Sequence, residues 1–127
     1  MKRWWDGSDI VPEIDAEHRD LYQVMARLEL AIVGAKDDST VARAVEELQQ
    51  RIAEHFQMEE RVASVEHMGS LPVLQDDHGR LMSILTLLGD LPGGADHERI
   101  RVYGEFVESL KDHDITIDQP IFRTKLH

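Results

Sequence analysis

Residues 41–62 read VARAVEELQQRIAEHFQMEERV. Val41, Val45, Leu48, Ile52, His55, Glu59 and Val62 fall at alternating steps of four and three, the spacing of one face of an α-helix and not of a strand. The stripe begins apolar and then carries a histidine and a glutamate one turn apart, His55 and Glu59. A helix with such a face needs partners to cover it, and the flanking sequence supplies them.

Before it, His18, Met25, Leu28 and Ile32 repeat the helical spacing; after it come Leu74, His78, Leu81, Leu85 and Leu88, and then Ile100, Tyr103, Phe106, Leu110, His113 and Ile117. Between these stripes stand GAKDDST (34–40), HMGSLP (67–72) and GDLPGGAD (89–96), rich in the residues that stop helices and make turns. The pattern predicts helices over 16–34, 39–66, 71–88 and 95–118. Short connections make each helix antiparallel to the next, so the expected fold is all-α, an up-down-up-down four-helix bundle. It spans 1–127 as a single domain, with residues 1–14 as an N-terminal arm that lays Trp4 and Trp5 over the bundle.

Composition narrows the chemistry. The chain of 127 residues has no cysteine, which removes disulfides, thiolate zinc sites and iron–sulfur clusters and fits a reducing, cytoplasmic setting. Its formal charge is -11, from 25 acidic and 14 basic residues, so it lacks the positive field that draws proteins to nucleic acid or anionic lipid. No apolar run approaches the roughly 20 residues of a membrane span, and MKRWWDGSD at the start leads into no signal-peptide core. The expectation is a soluble, unprocessed protein.

The anomaly lies in the stripes. His18, His55, Glu59, His78 and His113 occupy positions that should be apolar, and every helix contributes at least one. Burying imidazoles and carboxylates without compensation costs several kcal/mol apiece, and a metal cluster is one form of compensation. A lone inward histidine is usually a hydrogen-bonded core residue; five such positions on four helices are a different matter. Imidazole and carboxylate without thiolate suit iron, manganese or zinc, and carboxylates can bridge two ions, for which Glu59 and Asp118 are the candidates. His113 and Asp118 lie five residues apart, about 140° around an ideal helix, so a bulge or helix end is required between them. Glu60 should point away, and His67, His97 and His127 fall in turns or at the terminus, where solvation is the simpler role.

VPEIDAEHRDL around His18, HFQMEE around His55 and Glu59, His78 with its apolar tail, and HDITID around His113, preceded by a tryptophan in the arm, together resemble the hemerythrin family. The resemblance covers nearly the whole chain. It implies a four-helix bundle with a non-haem di-iron site that binds oxygen reversibly. The seven ligand positions of that family fall on His18, His55, Glu59, Leu74, His78, His113 and Asp118, of which six agree and Leu74 stands where a histidine is expected. The distance from His55 to His78 matches the family's separation, so the departure is a replacement and not a shift. Gln75, Asp77, the more remote His67, or water are the candidate substitutes. The resemblance implies one iron on His18 and His55, which keeps the oxygen-binding position, and a second on His78 and His113. Glu59, Asp118 and a solvent-derived oxo or hydroxo group would bridge them, and Leu110 would line the oxygen pocket.

Removing one imidazole opens a further exchangeable position and admits water near the cluster, which favours autoxidation and access by nitric oxide, azide or peroxide. Oxygen or redox sensing is therefore expected over long-lived carriage, by a binding protein more than an enzyme. A sensor of this kind would need a protein partner, on another chain or in a further segment. Two other classes stay open, a di-iron enzyme acting on peroxide or nitric oxide, and a metal-poor bundle that serves by contact.

Overall fold

The computed structural model describes residues 12–34 and 37–122. The expectations for Trp4, Trp5 and His127 fall outside them.

Helix α1 runs Pro12–Val33, α2 Asp38–Glu66, α3 Leu71–Asp90 and α4 Asp96–His113. A π-helical turn, Asp114–Asp118, follows α4, and a last helical turn, α5, covers Gln119–Phe122. Each long helix packs on the next and α4 closes back on α1, giving the expected antiparallel bundle. α1 already includes residues 12–14, part of the stretch expected to be arm. The start of α2 is fixed by Asp37, whose carboxylate accepts from the backbone N–H of Thr40 at 2.8 Å and from its hydroxyl at 3.0 Å. A short 3₁₀ turn, Met68–Ser70, and Pro72 in the first turn reverse the chain into α3.

The turn before α4 is held by a charge. Arg99 is buried and its guanidinium donates to Asp38 at 2.9 Å, while the N–H of Gly94 donates to the same oxygen at 3.3 Å. Gly94 has φ +82°, which favours glycine, and a Cβ on Gly93 would stand 2.6 Å from the other Asp38 oxygen. This contact sets the phase of α4. Arg99 takes the inward position and Ile100, expected to be inward, is 48% exposed.

Two apolar clusters fill the bundle. The larger includes Leu21, Met25, Leu28, Val45, Leu48, Ile52, Leu81, Leu85, Phe106 and Leu110. The smaller, at the other end, is built on Met58, Ala63, Leu74 and Phe122, with Ile117 packed against it. Along each helix the inward His, Glu and Asp lie at the boundary: on α2, His55 and Glu59 follow Ile52 and precede Ala63; on α3, His78 lies between Leu74 and Leu81. A buried polar layer is thus closed off by apolar side chains on both sides.

Candidate metal centre

The five residues singled out from the stripes and Asp118 come together in that layer, and none is more than 3% exposed: His18, His55, Glu59, His78, His113 and Asp118. The first five arrive by ordinary helical periodicity. Asp118 arrives by the π turn: i→i+5 pairing places residue 118 one turn beyond residue 113, and Asp118 Oδ1 lies 2.9 Å from His113 Nε2.

The carboxylates divide their oxygens between two imidazole pairs. Glu59 Oε2 lies 3.1 Å from His55 Nε2 and 3.7 Å from His18 Nε2, and Glu59 Oε1 lies 2.9 Å from His78 Nε2 and 3.9 Å from His113 Nε2. Asp118 does the same, with Oδ2 at 4.0 Å from His18 Nε2 and Oδ1 beside His113. His18 and His55 stand with ring centroids 4.7 Å apart, and His78 and His113 with centroids 5.0 Å apart.

Of these contacts, His78 Nε2 to Glu59 Oε1 at 2.9 Å is a hydrogen bond, and several others are close without being one. Glu59 Oε2, His113 Nε2 and Asp118 Oδ1 are buried and no hydrogen bond reaches them among the described residues, although 2.9 Å separates the last two. The outer nitrogens explain why. His113 Nδ1 is 2.5 Å from Asp77 Oδ2 and His78 Nδ1 is 2.7 Å from Glu60 Oε2. A carboxylate only accepts, so each Nδ1–H donates outward, and a ring that carries only that proton turns the lone pair of Nε2 towards a carboxylate. Lone pairs facing lone pairs need a cation between them. Nitrogen and oxygen donors about 2.1 Å from one ion and at right angles to each other stand roughly 3 Å apart, close to the shortest spacings here. The donor set therefore fits a metal.

Without a metal, protons must do the compensating. Burial works against charge on His113, but Asp118 and Glu59 outweigh it and hold its pKa up at about 11. Burial and the charge of Glu59 raise Asp118 well above the usual carboxylate range. Burial would raise Glu59 too, yet the surrounding imidazoles, His55 foremost, bring it well below its ordinary value. His55 is lowered, chiefly by burial, and so is neutral and able to offer its electron pair.

Several expectations need correction. Glu60, expected to point away, turns to the outer nitrogen of His78. Gln75 is exposed and donates to Glu60 at 3.4 Å, Asp77 holds the outer side of His113, and His67 sits edge-on to Phe122 with centroids 6.2 Å apart, so none of the three supplies a donor in place of Leu74. Leu74 itself is fully buried in the smaller apolar cluster. His97 lies exposed in the first turn of α4 instead of in the preceding loop.

Sequence reasoning passed over two residues at the centre. Phe56 stacks on His78 with centroids 3.8 Å apart and planes 5° from parallel, and it also meets His55 and His113. Its signal was adjacency to His55, which does not distinguish a ring wall from ordinary core. Asp114 is buried and offers an oxygen within 4.8 Å of donor atoms of His18 and Asp118. Only the π turn turns it inward, beside His113. Leu110 is buried in the larger cluster, one turn before His113.

No helix among the described residues is long and apolar enough to cross a membrane. Comparison with curated proteins and with solved structures gave no match. The profile of the hemerythrin HHE cation-binding domain matches residues 9–124, which takes in all four long helices, the π turn and every residue of the buried cluster. The chain belongs to the hemerythrin family of HHE cation-binding domains.

Proposed function

We propose that this centre holds two iron ions bridged by Glu59 and Asp118, and binds dioxygen or a related small ligand in oxygen or redox sensing. The observation that carries the reading is the division of each carboxylate's oxygens between two separate imidazole pairs. One ion needs only one oxygen from each carboxylate; two ions use both.

When bound, a pair of ferrous ions supplies the two electrons that reversible oxygen binding requires. The chain supplies the setting. His18 and His55 would hold one ion, His78 and His113 the other, each through Nε2. Glu59 and Asp118 offset the positive charge between the ions. The larger apolar cluster, with Leu110 one turn from His113, keeps bulk water from that side, which slows loss of reactive oxygen species. Leu74 gives the His78/His113 side one imidazole fewer than the family pattern, leaving more of that ion's surroundings to exchangeable ligands. Sensing, where ligands arrive and leave, is favoured over long-lived carriage for this reason. A partner chain would carry the signal, and the site suits nitric oxide, azide and peroxide as well as dioxygen.

The same leucine favours a second reading, turnover of peroxide or nitric oxide. An iron count with an anaerobic absorption spectrum, repeated after air, tests the first. Two irons per chain and a new charge-transfer band reversed by removing oxygen are expected. One tightly bound zinc in protein made with ample iron overturns it, and sustained turnover of peroxide or nitric oxide moves the reading to the enzyme.

A further inference from the structure

Glu60 and Asp77 belong to no inner donor group, yet both face the centre from the same side. Glu60 on α2 reaches across to His78 Nδ1 on α3 at 2.7 Å, and Asp77 on α3 reaches across to His113 Nδ1 on α4 at 2.5 Å. Each is itself held. Arg80 Nε donates to Asp77 Oδ1 at 2.9 Å, leaving Oδ2 for the histidine, and Gln75 Nε2 donates to Glu60 Oε1 at 3.4 Å, leaving Oε2. The arrangement does not extend to His55, whose Nδ1 has no hydrogen-bond partner among the described residues.

We infer that Glu60 and Asp77 are positioning residues that hold the ion on His78 and His113, making up for the imidazole missing at Leu74. This rests on the dinuclear reading. A carboxylate accepting from Nδ1–H fixes the ring's rotation and tautomer, aims the Nε2 lone pair inward and makes it a stronger donor. Two such contacts act on the two histidines left to that ion. Phe56, stacked flat on His78, restrains the same ring from its face.

The test is an anaerobic ferrous titration of the whole chain, resolving first and second dissociation constants, with helical content followed by circular dichroism. The paired variants E60Q/D77N keep a carbonyl acceptor and remove the charges; E60A/D77A remove both. The second ion is expected to weaken by about 10- to 100-fold in the alanine pair and by less in the amide pair, with the first ion unaltered. A wild-type count below two fails the dinuclear reading itself, before any variant is compared. With two ions in the wild type, equal affinities in all three proteins overturn the inference, and so does equal weakening of both ions, the result of a general loss of packing. Should the alanine pair not fold, the single variants E60Q and D77N decide on the same split.

Discussion

The two sides of the centre are equal in donors and unequal in surroundings. Each has two imidazoles and one oxygen from each of Glu59 and Asp118. His78 and His113 lean on Glu60, Asp77 and the face of Phe56, while His55 meets no hydrogen-bond partner at its outer nitrogen among the described residues. Counting ligands would call the sides alike. Buried imidazoles are shaped by what stands behind them as much as by what they face, and that is where the sides differ.

The comparison breaks most completely at Glu59, which serves both sides. Glu59→Ala is expected to lose at least one ion and more than any single histidine variant loses, as measured by iron content of the purified protein. Retention of two irons would place the bridge elsewhere.

Removing the metal should cost stability everywhere, because the donors tie all four helices. Ligand free at about a thousand times its dissociation constant stabilises by about 4 kcal/mol, which for a chain of this length shifts the melting temperature by roughly 10–20 °C. A chelated sample melting with the loaded one would mean that the bundle stands without the centre.

Protons sharpen the picture of the metal-free state. His113, with its pKa raised from 6.5 to about 11, stabilises the metal-free fold fully below 6.5, and that contribution is lost as pH rises through about 11. Asp118 acts in the same direction, since the folded chain keeps its proton to higher pH than the unfolded chain does. Glu59, lowered below 4.5, contributes above that value and loses its contribution on acidification. Metal entry must expel the protons of His113 and Asp118, so apparent affinity should rise with pH, by up to roughly a hundredfold per unit if both leave together. Affinity flat between neutral and mildly acid pH would show that neither proton is displaced.

The smallest expected effect is at Leu74. Leucine and histidine have similar volumes, and an imidazole one turn before His78 would point at the ion held by His78 and His113, so Leu74→His should lengthen the life of the oxygenated form several-fold. The cost is a polar ring among Met58, Ala63 and Phe122 if no ion meets it. Unaltered autoxidation and azide binding would mean that Leu74 does not limit access.

Much of this was legible because helices repeat. Steps of three and four put His18, His55, Glu59, His78 and His113 on inward faces, and the angular mismatch between His113 and Asp118 demanded a distortion that the π turn provides. Glu60, Asp77 and Asp114 were not legible. The roles of Glu60 and Asp77 depend on how neighbouring helices are rotated against each other, and the histidines they serve lie 18 and 36 residues further along. Asp114 depends on the local unwinding itself. The phase of α4 was misread for a similar reason: hydropathy favoured Ile100 as the inward residue, while Asp38, across the bundle end, draws Arg99 inside.

The central claim is that two ions sit side by side, one per imidazole pair. Anomalous diffraction at the iron edge from crystals of the loaded protein locates them directly. The account predicts two peaks per chain about 3.5–4 Å apart, one against His18 and His55 and the other against His78 and His113. A single peak shared by all four histidines, or peaks outside the layer between the apolar clusters, would contradict it.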